Sequence, residues 1–393
     1  MSSDLGVSVC GAALTPYNRR KDGSNFRDWA FDAFEQALTL STVELRDIDA
    51  LFVSSESDFF TYQLNPASVL ASDLGLRDVE ILRCEGGGAS GQLAVHAATR
   101  ALQSGRVKHA AVVGVDPSAS HLSAETMTSL YGYSFDAWTD GMTGLSSTAL
   151  YALSFQTFRE SCKVSDKDLA AIVIQNRSNA LDNPNAHLGR THTVDEIDQS
   201  PLIASPYRRL HCSPLSDGAA ALILSHDTHK PQARRGAAKI AGIGSAVDTL
   251  HLGARADPGN FSAKTSAMNS ACKEAAILPD TIEIAEIYDA YAGAQLQSIQ
   301  ALGLSESIIG DLNSGRFAPG GQCPINLSGG LLGQGAPVGA TGVGQTATCA
   351  LLVEGTYHPA LQPDQPPRYA LADTHGGICT TAAVTILKNG EVA

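Results

Sequence analysis

Short apolar runs such as His109–Asp116 (HAAVVGVD) alternate along the chain with stretches in which apolar residues return every three or four positions. The runs read as strands and the stretches as helices lying on them, so the pattern predicts an α/β protein. In the first half, strands at Gly6–Leu14 and Ile48–Ser55 bracket a helical stretch from Asn25 to Leu40. Val79–Cys84 then leads through the loop EGGGASG into a helix whose Leu93, Ala97 and Ala101 share one face. The second half repeats that order: a strand at Ala237–Val247, a helix at Ala263–Ala276, a strand at Ile282–Asp289, a small-residue helix at Gly339–Leu352 and two closing strands, RYALAD and AAVTIL. One element order met twice predicts an internal duplication. The halves are placed at residues 1–228 and 229–393, with the seam in the polar, proline-containing stretch His226 to Arg235. Between Pro117 and Leu210 the first half carries a long insertion rich in Ser, Tyr and Asn, of the kind that forms a lid or substrate wall.

The totals narrow the reading. With 393 residues, 44% of them hydrophobic, the chain can bury two ordinary cores. Its longest apolar runs fall far short of the ~20 residues of a bilayer span. Met1 to Leu14 shows no basic start followed by an apolar core, so no secretion signal is expected and the protein is read as cytoplasmic. A formal charge of −13 without clusters of Lys and Arg argues against a nucleic-acid surface. The eight cysteines include no CxxC and no Cys/His cluster, so neither a metal site nor a disulfide framework is expected.

Five segments in order carry a resemblance: NRSNALDNPNAHLG (Asn176–Gly189), SPYRRLHCSPLSDGAAALIL (Ser205–Leu224), AEIYDAYAGAQLQSIQALGL (Ala285–Leu304), NLSGGLLGQGAPVGATGVGQ (Asn326–Gln345) and HGGICTTAAVTIL (His375–Leu387). Through them the chain resembles the thiolase superfamily, in its sterol-carrier and archaeal branch. The resemblance implies a thiolase fold: two duplicated βαβαβαββ halves in a five-layered α/β/α/β/α body, usually a homodimer, acting on acyl-CoA thioesters. It also shows what is missing. The family's nucleophilic cysteine, in a C-x-S-G motif, falls at Gly88 of GASG; the activating histidine of the G-H-P motif falls at Ala336; the histidine of the H-D-x-F segment falls at Tyr288 of YDAY; and the second cysteine falls near Asp373.

Without thiolate and base, acyl transfer through a covalent acyl-enzyme has no starting point here. Backbone amides do not depend on a side chain, so Gly88 and the Gly376/Gly377 loop are expected to keep an oxyanion pocket able to hold a thioester enolate. The expected reaction is retro-aldol cleavage of a β-hydroxyacyl-CoA to a shortened acyl-CoA and a ketone or aldehyde. Tyr288 is the first-choice base. Asp289 either assists it or orients loop amides. Tyr291 replaces the family's Phe as a packing aromatic with a polar tip, and His375 is expected to donate to the enolate or reprotonate it. Ala336 and Asn326 are expected to line the substrate pocket. No bound cofactor is expected, with coenzyme A entering as part of the substrate.

The resemblance is greatest to thiolase-fold aldolases that shorten steroid or bile-acid side chains with a small DUF35-type OB-fold partner. No such module lies in this chain, so a separate subunit is implied. Two alternatives stay open: a thiolase-like acyltransferase using a relocated thiol, with Cys379 the better candidate than Cys84, and a non-catalytic scaffold. His96, His187, His211, Asp217 and Ser328 are read as structural.

Overall fold

Strands without a polar face organise each half. The computed structural model describes residues 5–20, 22–234 and 236–391; residues 1–4 of the stretch read for a leader, and Arg235 of the expected seam, lie outside the described residues. The first half runs β1 (Val7–Leu14), α1 (Phe26–Ser41), β2 (Ala50–Ser54), α2 (Asp58–Thr61), α3 (Pro66–Asp73), β3 (Glu80–Cys84), α4 (Ser90–Gln103) and β4 (His109–Pro117). An insertion follows with α5 (Ala124–Tyr131), α6 (Ser147–Cys162), α7 (Asp166–Asn179), α8 (Val194–Asp198) and a hairpin of β5 (Leu202–Ala204) and β6 (Tyr207–Arg208). The half closes with β7 (Asp217–His226). The second half runs β8 (Lys239–Val247), α9 (Ser262–Ala275), β9 (Ile284–Glu286), α10 (Ala292–Ala301), α11 (Ile308–Asn313), α12 (Gly330–Gly333), α13 (Val338–Glu354), β10 (Tyr369–Gly376) and β11 (Thr381–Lys388).

The strands line up as β3-β2-β4-β7-β1-β8-β11-β10-β9, and the two halves of this sheet meet at a single pair, Ser8 opposite Lys239. In the first half β2 is parallel to β3 and β4, while β7 and β1 are antiparallel to their neighbours. The second half repeats this around β10, with its third strand reduced to one parallel bridge between Ile325 and Ala285. The duplicated order is therefore present, and the fold is the thiolase fold.

Helices fill three layers. On one outside face α1 packs Trp29, Ala30, Phe34 and Ala37 against the first half; its start is fixed by Asn25, which accepts the Arg27 N–H (3.0 Å) while Asp28 accepts the Asn25 N–H (2.8 Å). On the opposite face α9 and α10 cover the second half, and the insertion's α6 and α7 join their core through Leu150, Phe155 and Ile172. Between the half-sheets lie α4 and α13, with α13 touching strands of both halves.

That middle layer explains the glycines. A Cβ at Gly91 would lie 2.8 Å from Gly342 Cα, and one at Gly342 would lie 2.6 Å from the Gln92 nitrogen. The helices cross backbone to backbone, so the glycine-rich segment around Ala336 is kept by packing whether or not a histidine stands in it.

Candidate active site

Parallel strands end at one edge of each half-sheet, and open α/β sheets bind ligands beyond that edge. Here the edges of both halves face a shared cavity of about 230 Å³, lined among others by Gly88, Tyr288, Tyr291, Ala336, His375 and Gly377. An adjoining outer cleft of about 530 Å³ shares Glu56, Tyr131, Ser134 and Gly377 with it and adds Gly87 and Gly376.

The loops of the two halves touch at Gly88. A Cβ there would lie 2.4 Å from the Tyr288 hydroxyl oxygen and 2.3 Å from the His375 carbonyl oxygen. The phenol thus stands where a side chain at position 88 would begin. The amides lie close together: a Cβ at Gly376 would be 3.2 Å from the Gly88 nitrogen, and one at Gly87 would be 3.7 Å from the Gly377 nitrogen.

His375 is the penultimate residue of β10 and is buried. Tyr151 of α6 gives its hydroxyl proton to the Gly377 carbonyl (2.6 Å) and lies 2.7 Å from His375 Nε2. One hydroxyl has one proton, so Nε2–H donates to Tyr151, and Nδ1 is left unprotonated, buried and without a partner. Burial, with Lys264 and Arg255 nearby, holds the imidazole well below its usual range. At neutral pH it is an uncharged ring.

Tyr288 follows β9. Burial, then Glu56, Tyr291, Asp116 and Asp289, push its phenol far above the ordinary value. It keeps its proton at neutral pH, which suits a donor better than the resident base expected from sequence. Tyr291 bonds Thr148 Oγ1 (2.9 Å) and stacks on Tyr207 with centroids 5.2 Å apart. It forms part of an aromatic wall.

Two expected site residues stand outside the cavity. Asp289 is fully buried and accepts from Leu331 N–H (2.6 Å), Leu332 N–H (3.3 Å) and Asn176 Nδ2 (2.7 Å). Burial raises its carboxyl to about 8 while those donors pull it back. It orients loop amides and does not face the substrate space. Asn326 is likewise used internally: its Oδ1 accepts the Ile287 N–H (2.7 Å) and its Nδ2 donates to Gln295 (3.0 Å). Asp373, near the place of the family's second cysteine, pairs with Lys264 and accepts the Tyr288 N–H (3.4 Å), so it braces the tyrosine from behind.

Both members of that Lys264–Asp373 pair have fully buried side chains. Lys264→Met would strand the carboxylate and is expected to cost about 3–5 kcal/mol in urea unfolding. Lys264→Met with Asp373→Leu should regain most of it; a double variant as unstable as the single one would show that the pair is not the source.

No activated thiol faces the cavity: Cys212, the cysteine in its lining, is pushed up to about 12 by burial. Cys379 is fully buried and absent from the cavity lining, and burial pushes it up to about 12. Cys84 is packed in the middle layer and pushed up to about 11. Iodoacetamide at neutral pH is expected to label the half-exposed Cys162 and to spare Cys379 in peptide mass spectra. Rapid native-state alkylation of Cys379 would reopen the thiol mechanism.

Sequence reading missed most of the lining, including Glu56, Tyr131, Tyr151 and Cys212. Glu56 had a usable signal, since it follows the end of parallel strand β2. Tyr151 had none, because only the packing of the first-half insertion onto the second half brings it to His375.

Comparisons with known proteins agree with this architecture. Residues 244–389 match the family model described as thiolase C-terminal domain-like. An acetyl-CoA acetyltransferase of Methanothermobacter thermautotrophicus is 29% identical, covering 97% of this chain and 99% of its own length. A benzoylsuccinyl-CoA thiolase subunit, BbsB, of Thauera aromatica is 27% identical, covering 96% and 97%. Among solved structures, one titled Ltp2-ChsH2(DUF35) aldolase superposes with a TM-score of 0.85 at 20% identity, covering both chains completely. The chain is thus similar to thiolases in sequence, and the solved structure shows the same fold.

Proposed function

We propose that this protein cleaves a carbon–carbon bond of a β-hydroxyacyl-CoA by a retro-aldol step, without an acyl-enzyme. The observation that carries the reading is the exchange at Gly88, where a phenol occupies the space of a nucleophile while both loop backbones remain beside it. In this reading the Gly88 and Gly376/Gly377 amides hold the thioester oxygen as it becomes an enolate oxygen. Tyr288 delivers a proton to the α-carbon, and the neutral His375, held by Tyr151, shapes the pocket beside it. The β-hydroxyl proton needs a separate acceptor.

The thioester arm would enter through the outer cleft. Its lining holds two carboxylates, Glu56 and Glu85, and no lysine or arginine, so the diphosphate of coenzyme A would lie beyond it. We propose a steroid or bile-acid side chain as the acyl group, supported by the apolar, aromatic walls. Because the inner cavity of about 230 Å³ is smaller than the ~300 Å³ at which pockets for drug-sized ligands begin, a four-ring group would require the α5–α6 stretch to swing outward. A homodimer is supported by the open edge strand β3, which exposes Ile81 and Leu82. A separate DUF35/OB-fold subunit is supported by the composition of the aldolase structure that shares the fold. No helix among the described residues is long and apolar enough to cross a membrane.

The thiolase alternative draws on the names of the curated relatives, but it needs a thiolate that this cavity does not supply. The deciding experiment is mass spectrometry of products from a tertiary β-hydroxyacyl-CoA, in short-chain and steroid-bearing forms, incubated with the protein and its partner. A ketone plus a shortened acyl-CoA is expected. A CoA-dependent thiolytic product, or an acyl group covalently held on the chain, would overturn the reading.

A further inference from the structure

We propose that Glu56 is the acceptor of the β-hydroxyl proton, leaving Tyr288 to return a proton to the α-carbon. This deepens the retro-aldol reading and rests on it. Glu56 sits just past the end of β2, where it lines both the inner cavity and the outer cleft. It therefore stands at the passage between the thioester arm and the reacting carbons.

Its backbone is fixed and one of its carboxylate oxygens is unspent. The Glu56 N–H donates to Asp116 Oδ2 (3.1 Å), and Asp116 is itself held by Ser55 Oγ (3.0 Å) and by the Gly339 N–H at the start of α13. Glu56 Oε2, by contrast, is closed to solvent and has no hydrogen-bond partner. Buried polar atoms are nearly always paired, so the unpaired oxygen leaves the carboxylate free to turn toward the cavity that Glu56 lines, where it would be satisfied by a ligand donor. A substrate hydroxyl is such a donor.

The groups facing Glu56 suit a base. They are Asp116 from β4, Glu85 from the loop after β3, Tyr131 from α5 and Tyr288 from the loop after β9, with His375 of β10 across the inner cavity. None of these carries a positive charge at neutral pH, and the cation beside them, Arg83 of β3, is engaged by Asp58 and the Ser55 carbonyl (3.3 Å). Burial first, then Asp116 and Glu85, hold the Glu56 carboxyl well above the usual carboxylate range. That makes the ionised carboxylate a stronger proton acceptor and moves the expected acid limb of the pH–rate profile up from the ordinary carboxylate range.

The step balances without any further reactant. Glu56 takes the hydroxyl proton as the carbonyl of the leaving ketone or aldehyde forms, and the electron pair of the α–β bond moves onto the thioester as an enolate. The enolate takes the Tyr288 proton at its α-carbon. The proton on Glu56 then returns to the tyrosinate across the emptied cavity. One proton has moved from oxygen to carbon.

The test uses the full-length protein with its partner and a β-hydroxyacyl-CoA that the wild type cleaves. Glu56→Gln is expected to lower kcat by about 10²–10⁴-fold with KM within about threefold, and to abolish the acid limb of the pH–rate profile. In Glu56→Ala, added formate should restore the rate at least tenfold over the unrescued variant, because a small carboxylate can occupy the vacated space. If Glu56→Gln fails to fold, Glu56→Asp decides: a displaced acid limb supports the assignment, and one left where the wild type has it overturns it. Wild-type cleavage by Glu56→Gln, or a slow Glu56→Ala that formate leaves unchanged, also overturns the role of Glu56 while the retro-aldol reading stands. A wild type that cleaves no β-hydroxyacyl-CoA overturns both.

Discussion

Tyr288→Phe is expected to lower kcat for carbon–carbon cleavage by about 10²–10⁴-fold, the usual worth of a positioned proton-transfer group, with KM little changed. The ring is retained, so its packing on Leu331 and Ala336 and its approach to His375, with centroids 4.7 Å apart, should survive. Thermal unfolding within a few degrees of the wild type would confirm that. Because the phenol holds its proton throughout the neutral range, its loss should lower the rate at every pH and leave the acid limb in place. Steady-state kinetics across pH read this directly. A Tyr288→Phe variant with full activity would remove the proposed donor.

Gly88→Cys, which returns a sulfur to the family's position, is expected to inactivate the protein and not convert it into a thiolase. Its Cβ would sit 2.3 Å from the His375 carbonyl oxygen and 2.4 Å from the Tyr288 hydroxyl oxygen. The phenol can swing aside; the strand-end carbonyl cannot without moving the loop. Overpacking of this kind costs about 1–3 kcal/mol of stability. Displacing the amide at the same residue would remove one proposed oxyanion donor, an expected loss of about 10²–10³-fold in kcat. No thiolase activity compensates, since Ala336 has no imidazole with which to generate a thiolate. Wild-type cleavage by Gly88→Cys would show that the contact at position 88 is not limiting, and thiolytic turnover would show that the fold still supplies a base.

The two halves of the site differ in how legible they were. Gly88, Tyr288, Ala336 and Gly376/Gly377 could be found because each stands in a motif with fixed neighbours, and the structure gathers them at one cavity or its adjoining cleft. Asp289 and Asn326 stand in equally recognisable motifs yet face inward. A motif records that a residue type is needed, not whether its polar atoms serve a ligand or the loop that carries it. Asp289 spends its oxygens on Leu331, Leu332 and Asn176. Tyr151 and Glu56 show the reverse case, with no motif and a place in the lining.

By itself the sequence determined the α/β class and the repeated element order, which depend on periodicity along the chain, and residue identity showed glycine at position 88 and alanine at position 336. Only the tertiary structure decided that Tyr288 fills the vacated space at Gly88, that a helix of the first-half insertion braces His375 of the second half, and that Glu56 keeps an unpaired oxygen. Those are relations between residues tens to hundreds of positions apart. They are set by how the two half-sheets clasp α4 and α13, where glycine backbones meet at distances that no local pattern encodes.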